Sequence, residues 1–396
     1  MPGTETARCH WTFLGWIGLA VSHYTRRILT RTLTGGLAAV AITTGLVGCA
    51  AGSDAPAAAD GLQIVTTTTQ LTDFATNITD GTGAQITGLL QPNASAHSFE
   101  ATAADLETIR TADVVIINGL GLEPWAQSTI DSAGFEGLLI DASNGISDDR
   151  ILAANEDEHD HAAEEAAAEE THAEDSHDGH DHADETASAA DAAAEDSHDG
   201  HDHGGDNPHI WTAPLMAADM TNEIASELAN LDADQGDTYL ANATAYNDKL
   251  TALDEWVKTN VDTVPAADRL LVSNHDALTY YDHDYGITFV GSVMPSWDDN
   301  AEPSAAEIDA LVAAIKESGA QAIFTETQLS PGTAEAIATE AGIKIYSGED
   351  GLYTDSLGAE GTAGDTYIKS TIHNTTQLLD SWGGAASEPP AELQES

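Results

Sequence analysis

From Asn155 to Asp206 the chain holds almost nothing that could fill a core. Asp, Glu, His and Ala dominate it, and the decapeptide AEDSHDGHDH occurs twice, beginning at Ala173 and again at Ala194. Such a tract has no hydrophobic period and many like charges, so it is predicted to be disordered without a ligand. Any fold must therefore be assembled from the sequence on either side of it.

Those flanks are large enough to do so. The chain has 396 residues, 41% of them hydrophobic, which suits two domains or one large one. Its formal net charge is −55. Part of that charge sits in the tract, but Lys and Arg are scarce throughout. A surface of this sign repels phosphate backbones, so no nucleic-acid partner is expected. It attracts cations, or keeps an exported protein soluble in salty surroundings. Cysteine occurs only at Cys9 and Cys49, both near the N-terminus. The body is thus predicted to have no disulfide and no thiolate metal site, and any metal chemistry must use His, Asp and Glu.

The N-terminus reads as an address. Within TRRILTRTLTGGLAAVAITTGLVGCA, Arg26, Arg27 and Arg31 form a basic region, and Gly35 to Val47 form an apolar one too short for a comfortable transmembrane span. The run LVGC ending at Cys49 resembles a bacterial lipobox, in which cleavage precedes a cysteine whose thiol carries the lipid. Residues 1–48 are read as a signal-peptide region with an N-terminal extension, Cys49 as the lipidation site, and 49–60 as a flexible tether. Several acyl chains would anchor the protein stably to the outer face of the bacterial cytoplasmic membrane.

After the tether, GLQIVTTTTQLTDFATNIT reads as a buried strand running into a helix. AQITGLL, ADVVIING and GLLIDAS read as further strands, and FEATAADLETIRT as a helix between them. Asp237 to Val261 form a long helix, with Tyr239, Tyr246, Leu250, Leu253 and Val257 on one apolar face. A second set of strands follows in RLLVSNHDALTYY, ITFVGSV, AQAIFTET and IKIYSGE. Ser304 and Glu307 stand in capping-box spacing at the start of another helix. Strands alternating with helices indicate an α/β fold with parallel sheets. The expected architecture is two pseudo-symmetric α/β lobes, 61–236 and 262–384, joined by one rigid helix at 237–261, with a disordered tail at 385–396.

Outside the tract and the leader, five histidines remain: His97, His209, His275, His283 and His373. His97 lies in QPNASAHSFEATAADL, between a strand and a helix. His275 lies in LVSNHDALTYY, at the carboxyl end of a strand, where parallel sheets bind ligands. His209 follows the tract in DNPHIWTAP. NASAHSFEATAADL, NPHIW, SNHDALTYYDHDYGI and GLYTDSLGAEGTAGDTYIKSTIHNT together resemble the four motifs of the metal-binding lipoproteins of zinc and manganese ABC importers. The resemblance runs from about Leu62 to Leu379, and the tract falls where zinc-type members carry theirs.

That resemblance implies a metal site in the cleft between the lobes, with His97, His209, His275 and Asp355 as ligands. Asp350 is a rival for the fourth place. His283 is expected at the surface, and His373 packed or exposed on the last helix. Three imidazoles and a carboxylate suit Zn²⁺, whereas Mg²⁺ or Ca²⁺ would call for oxygen ligands. Thr212 and Ala213 stand where the family often has Leu-Asp, so a carboxylate supporting His209 is expected to be missing. Glu100 and Glu326 are candidates for such outer support elsewhere. The tract offers His159, His161, His172, His177, His180, His182, His198, His201 and His203 as weaker ligands, in a collector, a zinc sensor or a merely solvated insertion.

The implied function is capture of Zn²⁺ outside the membrane and delivery to an ABC permease with its ATPase, by a non-enzymatic and monomeric binding protein. Manganese import, a metal-dependent adhesin, a zinc buffer and a zinc hydrolase are the alternatives.

Overall fold

The computed structural model describes residues 61–153, 205–296, 301–327 and 329–394. The leader, Cys49 and the tract histidines from His159 to His203 lie outside the described residues.

The first lobe is built on four short parallel strands: β1 (Gln63–Thr66), β2 (Gln85–Gly88), β3 (Val114–Ile117) and β4 (Leu138–Asp141). Their spatial order is β2-β1-β3-β4. Ile64, Val65, Val114, Val115 and Ile116 are all buried, as expected of a parallel sheet covered on both faces. The crossovers are α1 (Thr69–Ile78), α2 (Ala103–Thr111) and α3 (Ala126–Ala133). Thr102 and Asp105 cap α2 reciprocally, and Gly134 ends α3 in the left-handed conformation.

A helical hairpin leads out of this lobe. Helix α4 (Pro214–Leu231) starts with proline at its first turn, where a missing N–H costs nothing, and packs along α5 (Gly236–Val261). The expected face of α5 is buried at Tyr239, Tyr246, Leu250, Leu253 and Val257. This helix touches α1 of the first lobe, and also α6 (Thr279–Tyr285) and α9 (Tyr367–Ser381) of the second.

The second lobe repeats the scheme. Strand β5 (Leu270–Ser273) pairs in parallel with β6 (Thr288–Ser292), and β7 (Ala322–Phe324) with β8 (Lys344–Tyr346). These are two separate two-stranded sheets, but β5 lies next to β7, so the strands follow one another in space as β6-β5-β7-β8, the order of the first lobe without the central ladder. Helices α7 (Ala305–Ser318) and α8 (Gly332–Ala341) cover it, and Ser304 and Glu307 form the capping box that their spacing predicts.

The C-terminus corrects an expectation. Residues 385–396 were expected to be a disordered tail, yet the chain is ordered as far as Gln394. The Ser387 N–H donates to Asn260 Oδ1, and the short α10 (Ala391–Gln394) lies against α5 with Leu393 only 1% exposed. One apolar side chain among prolines and acids gives no period to read, but it suffices to pin the segment.

One buried acid ties the ends of β1 and β3 together. Glu123 accepts hydrogen bonds from the Thr67 hydroxyl and the Asn118 N–H. Asn118 in turn donates through Nδ2 to the Pro208 carbonyl, beside His209. Close packing here leaves no room for a side chain at Gly119, where a Cβ would fall 2.0 Å from Asp141 Oδ1. Burial pushes the Glu123 carboxyl up to about 7. The native state then holds a proton that the unfolded chain releases near pH 4.5, so stability falls as pH rises from there through about 7. The cost is on the order of 3 kcal/mol. Metal-free protein at fixed ionic strength should be less stable to urea at about pH 8 than at about pH 5. Glu123→Gln, which has no proton to lose, should reduce that difference, leaving the share of other buried acids such as Asp73; parallel pH profiles would count against the assignment.

Candidate metal centre

Four side chains from distant parts of the sequence meet at the carboxyl ends of the strands. His97 lies in the loop between β2 and α2, and His209 between the end of the first sheet and α4. His275 follows β5 directly, and Asp355 lies in the loop after β8. One donor atom from each fits within 4.8 Å of every other. His209 Nε2 stands 3.2 Å from His97 Nε2 and 3.3 Å from His275 Nε2. The Asp355 carboxylate faces all three rings, with Oδ1 3.4 Å from His209 Nε2 and Oδ2 at 3.4 and 3.2 Å from the Nε2 atoms of His97 and His275. Asp355 is 1% exposed, and neither of its oxygens accepts an aligned hydrogen bond. A buried carboxylate in that condition is costly unless a cation supplies the missing interaction.

The far sides of two rings explain their aim. His275 Nδ1 donates to Glu326 Oε1 at 2.8 Å, and the same oxygen receives the His275 backbone N–H. The other Glu326 oxygen accepts the Thr354 hydroxyl at 2.7 Å. His209 Nδ1 bonds Asn207 Oδ1 at 2.7 Å. The orientation of that amide is fixed, because Asn207 Nδ2 donates to the Asp276 carbonyl and to Thr279 Oγ1. With Nδ1 engaged by these acceptors in both rings, Nε2 is the nitrogen that faces the common centre, where a cation would take the place of any proton on it. Support for His209 thus comes from a neutral amide two residues upstream, a role that sequence reading did not give to Asn207.

Electrostatics follow from this packing. Burial pushes the His209 imidazole down to about 4, against the pull of Asp355. Burial also acts to lower His275, but the charges of Glu326 and Asp355 prevail and hold it well above the ordinary histidine value. Burial would raise the Asp355 carboxyl, yet His275 and the other two rings keep it well below the usual carboxylate range. The pocket is therefore anionic at the carboxylates and receptive to a cation.

The remaining candidates lie elsewhere. His283 is exposed beside Asp284, and His373 is half-buried with Nε2 against the Gly351 carbonyl. Asp350 and Glu100 are both exposed. Of the two proposed outer carboxylates, it is Glu326 that touches a ring. Replacing Glu326 with Ala should weaken metal binding about 10–100-fold without changing the number of tight sites. Calorimetry should show no effect for Glu100→Ala; equal affinity in both variants would remove Glu326 from the site.

Among curated proteins, the manganese-binding lipoprotein MntA of Halalkalibacterium halodurans is 26% identical over 322 residues, covering 81% of this chain and 88% of its own. The zinc-binding protein TroA of Treponema pallidum is 25% identical over 326 residues, covering 82% and 90%. The solved structure of the Treponema pallidum periplasmic zinc-binding protein TroA superposes with a TM-score of 0.65 at 22% identity, covering 81% of this chain and 99% of that one. The profile of the family described as zinc-uptake complex component A, periplasmic (ZnuA), matches residues 64–381. That match spans both lobes and all four converging side chains, and the chain belongs to this family of metal-binding components of ABC importers.

Proposed function

We propose that the chain captures Zn²⁺ outside the cytoplasmic membrane and passes it to an ABC permease, with His97, His209, His275 and Asp355 as the ligands. The observation that carries this reading is the convergence within 4.8 Å of three buried donors and the half-buried His97, with neither Asp355 oxygen in an aligned hydrogen bond. Three imidazole nitrogens and one carboxylate form a borderline-soft set that suits four-coordinate zinc. Four protein donors leave no obvious place for an activated water, which argues against a hydrolase. The family consists of transporter components that act by binding and release, not of enzymes. Lipidation at Cys49 would keep the protein at the membrane face where a permease is met.

Manganese is the second reading, and one observation favours it. The two Asp355 oxygens face different rings, so the carboxylate is able to bind through both and raise the coordination number above four. Several relatives carry manganese in their names. Zinc outcompetes manganese at most nitrogen and oxygen sites. The deciding quantity is therefore the ratio of affinities, read by titrating metal-free protein with both ions in competition.

The ends of the His-rich tract are close together: Ala153 pairs antiparallel with Asp206, and the Asn207 N–H donates to the Leu152 carbonyl. Removing residues 155–204 should therefore leave one tight site and abolish several weaker ones in calorimetry. Loss of the tight site would make the tract primary. In that shortened chain, His209→Ala should abolish tight Zn²⁺ binding, and unchanged affinity would sink the ligand assignment.

A further inference from the structure

The loop that carries Asp355 belongs to the second lobe by sequence but is held in place by the first. Up to Tyr353 its anchors are local: the Tyr353 N–H donates to Asn374 Oδ1, Asn374 Nδ2 donates to the Tyr353 carbonyl, and Leu352 bridges to the end of β7. At Thr354 the anchoring changes sides. Its carbonyl accepts Gln70 Nε2 at 2.8 Å and Trp211 Nε1 at 3.1 Å, both from the first lobe. Two residues beyond Asp355, the Leu357 N–H donates to Thr69 Oγ1 at 2.8 Å, and its carbonyl accepts the Asn93 N–H at 3.2 Å. The Asp355 side chain itself accepts no aligned hydrogen bond. Its place among the three rings is therefore set by these backbone anchors.

Gln70 is the central one. It is 2% exposed, in the first turn of α1, and its amide reaches across to a residue 284 positions away. A small cavity lined by Gln70, Trp211, Thr354, Tyr281, Tyr367 and Asn374 adjoins the contact. It is large enough to admit a water molecule, so a replacement partner for the Thr354 carbonyl has room beside the contact. The Thr354 hydroxyl meanwhile stays with Glu326, and through it with His275. Thr354 is thus the point where the fourth candidate ligand, one imidazole and the opposite lobe are joined.

We infer that Gln70 is a positioning residue, a latch between the lobes that holds Asp355 in the metal site and whose release lets the fourth ligand withdraw. The inference rests on the metal-site reading above. It implies that metal retention depends on lobe contact, although Gln70 touches no metal. Full-length metal-free protein would be given one equivalent of Co²⁺, whose visible d–d bands report coordination, and the ion then removed by a chelator in a stopped-flow experiment. Gln70→Ala should release Co²⁺ about tenfold faster or more and should shift the d–d bands toward those of Asp355→Ala. Trp211→Phe, which keeps an aromatic ring in the core but removes the second donor to Thr354, should move both readouts in the same direction. A purely structural role would lower the melting temperature and leave the bound spectrum as in wild type. If Asp355→Ala changes the spectrum while both Gln70→Ala and Trp211→Phe match wild type in spectrum and release rate, the latch is refuted and the site stands. If wild-type protein binds no Co²⁺, or Asp355→Ala has a wild-type spectrum, the site and the latch fail together.

Discussion

Everything in this molecule is arranged around an electrostatic conflict at one point. Three imidazole Nε2 atoms are brought within 3.2–3.4 Å of a buried carboxylate, and neither carboxylate oxygen accepts an aligned hydrogen bond. Left alone, such a cluster is unfavourable, because a buried carboxylate and crowded imidazoles lose their interactions with water and gain only poorly aligned contacts to the carboxylate in return. A divalent cation held there would turn each of those losses into a bond. The fold has to supply the work of assembly, since no two of the four side chains are close in sequence.

That work is divided between short-range and long-range devices. At short range, Glu326 and Asn207 occupy the Nδ1 side of two rings and fix which nitrogen faces inward. At longer range, the parallel strands of both lobes present their carboxyl ends to the same cleft, and α5 runs along both lobes as a common support. Buried polar ties then link the lobes to the site. Glu123 and Asn118 lead to the segment bearing His209, and Gln70, Thr69 and Trp211 lead to the loop bearing Asp355. Hydrogen bonds of this kind are directional and individually weak, so they position without locking.

The strands and helices were legible because their signals are local. Val114 to Ile117 form a continuous apolar run, and the spacing from Tyr239 to Val257 marks one face of a helix. Ser304 with Glu307 names the start of another. The four converging side chains could be named from motif context, but their mutual distances could not. Periodicity was silent about the supporting polar groups. In the run Thr66 to Gln70, one hydroxyl binds Glu123, one caps α1 and one reaches the loop of Asp355. The string TTTTQ looks uniform, because only the tertiary fold decides which hydroxyl faces which neighbour. Leu393 was missed for a similar reason: a single buried side chain in a polar tail has no period. Asn207 was within reach, since a side-chain amide two residues before a candidate histidine ligand is placed to accept from its ring.

The central claim is that the tightest metal site consists of three imidazole nitrogens and one carboxylate, and does not lie in the dense histidines of the tract. X-ray absorption at the zinc edge, on full-length protein carrying one equivalent of Zn²⁺, measures this directly. The account predicts a shell of three histidine nitrogens and one or two carboxylate oxygens at about 2.0–2.2 Å, changed by Asp355→Ala and unchanged by removal of the tract. A six-oxygen shell, or a spectrum that responds to the tract and not to Asp355, would contradict it.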